Sequence, residues 1–329
     1  MDQPSRFRPL PRSVVFGLLS LLVVTLVVTA AGAILEPGAR GDHSGTEQIV
    51  GAPDRPVVLV TGSTAGLGRE LALELASRGA HVIVHGRNEE RGREVLEAIQ
   101  DQGGGSASFY PADLASLDQV RELARIIEAE YPRLDLLVNN AGVGPGAPGH
   151  ERVITEDGHE LRFQVNYLSG FLLTRMLLPL MQASAPARIV NVASRSQREL
   201  DFQDLRFDQG YSGSLAYGRS KLAQILFTVD LAEELRDSGV QVFAVHPAPA
   251  MDTELVRETG GRPQSTVAAG LKSVLQAIHT QDFESGTYFH ELEAAQAHEQ
   301  AYDRQARERL RALSEEFTGA PPLPSSLRR

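Results

Sequence analysis

A short apolar run, Val57-Val58-Leu59-Val60, passes directly into Thr61-Gly62-Ser63-Thr64-Ala65-Gly66-Leu67-Gly68 and then into a helical stretch through Ser77. Continuous apolar character over so short a run is what a parallel strand buried on both faces requires. The glycines that follow have separate uses. Gly62 allows a tight turn, Gly66 lets backbone approach a pyrophosphate, and Gly68 lets helix and strand pack closely. Exposed N–H groups at the helix start then meet the anion. Strand, glycine turn and helix form a candidate phosphate-binding unit, with Ser63, Ala65 and Leu67 completing its set of candidate contacts. An ordinary structural turn is the competing reading.

The alternation continues along the chain. His81-Val82-Ile83-Val84 reads as a second strand, followed by His85-Gly86-Arg87-Asn88. A site for NAD usually places a carboxylate at this strand end for the ribose hydroxyls, and none is present. Arg87 could instead bind a 2′-phosphate through a charge-assisted contact, which favours NADP(H). A polar helix over Glu89 to Gln102, a strand around Ser106 to Tyr110, a helix over Ser116 to Glu130 and a buried strand at Leu134 to Val138 follow. Such βα alternation predicts a doubly wound parallel sheet covered on both faces. Asp113, with Leu114 beside it, lies just after a strand. It could accept a hydrogen bond from an adenine amino group, or serve a turn or helix cap.

Asn139-Asn140-Ala141-Gly142 ends the next strand with small, turn-compatible residues that let backbone approach a ligand. After a Pro/Gly loop from Gly144 to Gly149, a helix over Gly158 to Gln182 carries Asn166, and the strand Arg188 to Val192 delivers Ala193-Ser194 at its carboxyl end. In an open α/β sheet that end is where ligands bind. Further on, Tyr217 and Lys221 stand at i and i+4 in an amphipathic run from Leu215 to Leu235, with Ser212 or Ser214 as N-cap and Tyr217 expected in the first turn. A free phenol titrates near pH ~10 and handles protons poorly at neutral pH. A lysine cation and the positive end of a helix both favour the phenolate, so the pair is a candidate acid/base catalyst.

Charge and composition limit the alternatives. A net charge of -10 argues against nonspecific nucleic-acid binding. The absence of cysteine removes disulfides and thiol nucleophiles, and no zinc spacing or other metal motif is apparent. The run from Val14 to Leu35 is uncharged and matches the length of a helix crossing the ~30 Å hydrocarbon core. It follows the basic segment 1–13, with Arg6, Arg8 and Arg12. It reads as a single-pass transmembrane anchor, with a cleaved signal peptide as the alternative because Ala31-Gly32-Ala33 closes the run. Residues 36–55 read as a flexible tether, 56–318 as the catalytic domain and 319–329 as a loose tail. The positive-inside rule alone would export the domain. The need for reduced cofactor favours the cytoplasmic side, and that is the orientation adopted.

Taken in order, TGSTAGLG at Thr61, NNAG at Asn139, VN at Asn166, NVAS ending at Ser194 and YGRSK at Tyr217 resemble the motifs of the short-chain dehydrogenase/reductase family, over about Pro56 to Phe289. GRNEERG, ASAPARIVNVAS, LAYGRSKLAQILFT and GTYFHE are similar to its retinol-dehydrogenase-like branch. The resemblance implies a Rossmann fold and an NADP(H)-dependent interconversion of an alcohol and a carbonyl. It implies Tyr217 as general acid/base, Lys221 lowering its pKa and holding the nicotinamide ribose, Ser194 orienting the substrate oxygen and Asn166 supporting a water-linked proton path. Gly62, Ser63, Ala65, Gly66, Leu67, Gly68, Arg87, Asp113, Leu114, Asn140, Ala141, Gly142 and Pro247 would join Tyr217 and Lys221 around the cofactor. A lipophilic substrate, retinal-like or an aliphatic aldehyde, is favoured, and a homo-oligomer is possible. A steroid, sugar or tetrapyrrole carbonyl, or a redox sensor without turnover, are the rival readings.

Two departures from the family pattern stand out. Ala193 replaces a common Ser, and His246-Pro247-Ala248-Pro249-Ala250 replaces a PG-type segment, so the loop there should differ in shape. The region after Leu255 should form a substrate lid before a helix over Ser265 to His279. Tyr288-Phe289 should close the sheet, and Ala294 to Leu313 should be a packed surface helix.

Overall fold

Strands that are apolar on both faces need helices on both faces, and the computed structural model, which describes residues 55–147 and 149–323, has that arrangement. The expected anchor at 14–35 and all of the expected tether except Arg55 lie outside the described residues. Among the described residues no helix is long and apolar enough to cross a membrane.

The elements alternate as β1 (Val57–Val60), α1 (Gly66–Ser77), β2 (His81–Gly86), α2 (Glu89–Gln102), β3 (Ser106–Pro111), α3 (Leu117–Glu130) and β4 (Leu136–Asn139). A helix then runs from α4 (Leu161–Phe163) through a π segment, Gln164–Leu168, into α5 (Ser169–Ala183). β5 (Ala187–Val192), α6 (Gly213–Glu234), β6 (Val240–His246), the short α7 (Glu254–Glu258), α8 (Val267–His279), β7 (Tyr288–His290), β8 (Glu293–Ala295), a 3₁₀ turn at Glu299–Tyr302 and α9 (Arg304–Thr318) complete it. The sheet order is β3-β2-β1-β4-β5-β6-β7-β8. All pairs are parallel except β7 with β8.

Alternate strand residues feed two cores. Leu59, Leu137, Ile189 and Val242 face a layer built from α3, α5, α6 and α9, while Val60, Val138, Val190 and Phe243 face one built from α1, α2 and α8. This is the doubly wound sheet predicted from the alternation. The order reverses between β1 and β4, where the crossovers diverge to opposite faces and leave a crevice at the strands' carboxyl ends.

The carboxyl-terminal elements differ from the sequence expectation. Tyr288-Phe289 does form β7, but the sheet goes on into β8, and the helix expected from Ala294 begins at Arg304. The chain reverses through Glu291 and Leu292, and Glu293 to Ala295 pair with β7 before any helix starts. Asp303 caps α9, accepting from the Gln305 N–H at 2.9 Å. The packing also runs past the boundary expected at 318, because Ala320 and Leu323 are buried in the core. α8, expected to follow a lid, is a core helix that buries Val274, Ala277 and Ile278.

Candidate active site

The turn after β1 is shaped by its glycines. Gly62 (φ +65) and Gly66 (φ +54) occupy left-handed backbone that side chains disfavour. A Cβ on Gly68 would lie 2.3 Å from the Gly62 carbonyl and 2.5 Å from Asn140 Nδ2, so only glycine lets α1 start this close to the turn. Asn140 Nδ2 donates to the Thr61 and Gly62 carbonyls at 2.9 and 3.2 Å, and Thr61 Oγ1 accepts from the Asn140 and Ala141 N–H groups at 3.0 and 3.1 Å. The first glycine motif and the Asn139–Gly142 turn are therefore one hydrogen-bonded unit. α1 has no side-chain cap and no acid in its first turn. Its leading N–H groups face the cleft without a competing carboxylate, which suits an anion.

The second half of the site sits on β5 and α6. Ser212 caps α6, accepting from the Leu215 N–H at 3.1 Å, and this places Tyr217 beyond the first turn in which it was expected. The helix end therefore acts on the phenol only weakly, because its influence fades within about one turn. Lys221 Nζ donates to the Val192 carbonyl at 2.8 Å and to Gln224 Oε1 at 2.9 Å, and lies 5.7 Å from the centre of the Tyr217 ring. Burial pushes the Tyr217 phenol above its ordinary value, against an opposing hydrogen bond from the Ser194 hydroxyl. Burial also lowers Lys221 to about 7. Burial and the Ser194 hydrogen bond are the influences on the phenol in this fold. Desolvation dominates, and the ammonium hydrogens are directed to Val192 and Gln224.

Asn166 lies in the π segment. Its Oδ1 accepts from the Val143 N–H at 2.7 Å, and its Nδ2 donates to the Val143 carbonyl at 3.1 Å and to Ser220 Oγ at 2.9 Å. Ser220 Oγ in turn donates to the Tyr217 carbonyl at 2.8 Å. The side chain expected to serve a proton path is committed to aligning the Gly142–Val143 turn with the helix that carries Tyr217.

A glycine-lined cradle and a group made of the half-buried Tyr217 with the buried Lys221 and Ser194 thus share one edge of a parallel sheet. The sequence model of the family described as short chain dehydrogenase matches residues 56–263. The chain is 36% identical over 320 residues to human retinol dehydrogenase 11, covering 93% of this chain and 98% of that protein. The chain belongs to the short-chain dehydrogenase family. Among solved structures, a short-chain dehydrogenase from Escherichia coli CFT073 complexed with NADPH superposes with a TM-score of 0.61 at 28% identity, covering 76% of this chain and 100% of that one. One from Shigella flexneri 2a complexed with NADP gives 0.59 at 28% identity, over 72% and 97%. As a short-chain dehydrogenase the chain is an oxidoreductase acting on CH–OH groups.

In this short-chain dehydrogenase one cleft of about 790 Å³ gathers the sequence-predicted residues. Gly62, Ala65, Gly66, Leu67, Gly68, Arg87, Asp113, Leu114, Asn140, Ala141, Gly142, Ser194, Tyr217, Lys221 and Pro247 all line it. Ser63 and Asn166 do not. The Ser63 hydroxyl is fully buried, donating to the Val60 carbonyl at 2.7 Å and accepting from the His85 N–H at 2.9 Å, so it stitches β1 to β2 and offers nothing to the cleft. Arg87 remains accessible, its side chain 73% exposed and 3.7 Å from Asp113. Asp113 Oδ1 accepts from the Ala115 N–H at 2.9 Å, which is the turn role considered for it.

Sequence reasoning missed His85. Its Nδ1 accepts from the Gly62 N–H at 3.1 Å, and burial lowers it to about 4, so it stays neutral and able to accept. Only the register of β2 against the glycine turn could have disclosed that contact. In the Pro247 loop the positive φ falls at Ala250 (+31), while Ala248 is simply buried. Of the region after Leu255 that was expected to form a lid, Val256, Glu258, Thr259, Gly261, Arg262 and Gln264 line the cleft. Just before it, Thr253 packs against the glycine turn, since a Cβ on Gly66 would lie 3.3 Å from Thr253 Cγ2. A second hollow of about 1090 Å³ lies at the amino ends of β5 and β6, and none of the candidate site residues lines it.

Proposed function

We propose that the chain is a membrane-tethered, NADP(H)-dependent oxidoreductase that interconverts a lipophilic alcohol with its aldehyde or ketone. The observation that carries this reading is the sharing of one cleft by the glycine cradle and the Tyr217–Ser194 hydroxyl pair. The cradle fits a dinucleotide, because the left-handed glycines and the uncapped α1 start present N–H groups to a pyrophosphate. Arg87, exposed at the end of β2 with no carboxylate of that strand beside it, would pair with a 2′-phosphate. NADP(H) bound there supplies or accepts the hydride, and its oxidised ring carries a positive charge.

The chain's own residues manage the proton. In reduction, Tyr217 donates its phenolic hydrogen to the carbonyl oxygen while Ser194 Oγ holds that oxygen in line. In oxidation, Tyr217 takes the hydroxyl proton back. Burial opposes the phenolate, so the charge that favours it has to come from Lys221 once protonated and from an oxidised cofactor. Asn166 keeps the two halves of the site in register through Val143 and Ser220.

A lipophilic substrate is supported by the apolar side of the cleft, where Val143, Leu161, Val165, Met251, Leu255 and Val256 line the wall. It is supported as well by the uncharged Val14–Leu35 run, which would hold the domain at a bilayer. The test is turnover of the detergent-solubilised full chain with NADPH and NADH against retinal, medium-chain aldehydes and short hydrophilic carbonyls. The reading requires faster turnover with NADPH and with the lipophilic set. Activity confined to small hydrophilic carbonyls, or equal kcat/KM for the two cofactors, would contradict it.

A further inference from the structure

β6 and β7 end side by side, with His246 in register with His290. Register partners on a parallel pair project to the same face, and here the imidazole centroids are 5.0 Å apart at 71°. The chain then turns toward β8 through Glu291, which holds a left-handed φ of +59. Glycine would occupy that position more easily than a residue with a side chain. The Glu291 N–H donates to the His246 carbonyl at 2.8 Å, tying the turn to the end of β6. One ring nitrogen from each histidine and one Glu291 oxygen lie within 4.8 Å of one another, the only such group among the described residues. His246 is 5% exposed, yet its Nε2 is buried with no hydrogen-bond partner. A buried imidazole nitrogen without a partner is unfavourable unless something else engages it.

We propose that His246, His290 and Glu291 form a binding site for a divalent transition-metal ion, zinc in the first instance. Two imidazoles and a carboxylate are the donors that zinc and its neighbours prefer, whereas calcium and magnesium call for oxygen alone. Ligands sharing a zinc ion sit about 2.0–2.2 Å from it, so donors already this near one another need only a small side-chain adjustment. The frame is set by two adjacent strand ends and the turn hydrogen-bonded to them. His246 borders the cleft, so the remaining coordination positions would open toward it. Of the three donors only Glu291 carries a negative charge, and Arg195 near His246 opposes a cation there. Affinity should therefore be below that of an all-cysteine structural site. The ion would bridge β6 and β7 beside the Pro247 loop, and the site is independent of the hydride chemistry proposed above.

The test uses the full chain without a histidine tag, freed of metal with a chelator and titrated with Zn2+ by calorimetry and with Co2+ by visible absorption. The expected result is saturable binding of about one equivalent together with a rise in melting temperature. His290→Gln and Glu291→Gln, both at solvent-accessible positions, should each weaken binding at least about tenfold while the metal-free melting temperature stays close to that of the unsubstituted protein. Absence of saturable binding, or identical isotherms for the unsubstituted protein and both variants, would overturn the proposal.

Discussion

Tyr217 and Lys221 are driven the same way by burial, each toward its neutral form. For Lys221 this has a measurable consequence. Its folded value of about 7 is depressed from an unfolded value near 10.4, so between those limits the unfolded chain binds more protons than the folded one. Stability should therefore rise as pH increases from about 7 to about 10, the window set by the two values. Lys221→Met removes the titrating group and should flatten that dependence. Melting temperature against pH for the two proteins is the measurement, and an unchanged slope would mean that Lys221 remains protonated in the fold. Gln224 and Ser220 belong to the same account, since they orient the ammonium and the tyrosine backbone while reacting with nothing. Both lie inside LAYGRSKLAQILFT, but the motif does not disclose these roles, because their contribution depends on which face of α6 meets β5 and the Asn166 segment.

At the level of elements, what could be read from the sequence was whatever a continuous apolar run or a glycine forced. β1, the turn, α1 and the parallel alternation follow from Val57–Val60 and Gly62, Gly66 and Gly68, whose conformations leave little choice. The set Ser194, Tyr217 and Lys221 was also legible, since strand ends and an i, i+4 pair converge wherever such a sheet forms. The π segment at Asn166 was not, because the extra residue in that turn has no periodic signature and is held by contacts to Val143 and Ser220. Ser63 misled for a related reason: its place between the glycines suggested a ligand contact, whereas β2 takes its hydroxyl. The start of α9 was misread because Ala294 and Ala295 suit a helix but are captured by β7. α9 itself packs firmly. Leu310 is 2% exposed, Tyr167 and Ser314 share a hydrogen bond of 2.7 Å, and Arg311 reaches Asp230 and Glu234. Leu310→Ala should destabilise the fold by about 2–5 kcal/mol, read from the denaturant midpoint. A loss below about 1 kcal/mol would mean that α9 is not part of the cooperative core.

For the whole molecule, the proposed reaction depends on where the domain sits as well as on how it folds. An uncleaved anchor at 14–35 with the domain in the cytoplasm predicts that protease added outside intact cells leaves the domain whole, and that the mature protein keeps its amino terminus. Digestion from outside, or a mature chain beginning near Ile34, would contradict that orientation. The central claim is narrower and can be tested on purified protein: the cleft joins a dinucleotide cradle to a tyrosine that handles the proton. The decisive measurement is turnover of NADPH with a lipophilic aldehyde by the unsubstituted chain and by Tyr217→Phe, alongside NADPH binding to both. The account predicts that kcat falls at least about 10²-fold in the variant, as expected on losing a general acid, while NADPH affinity is retained. Near-normal turnover by Tyr217→Phe, with cofactor bound, would contradict it.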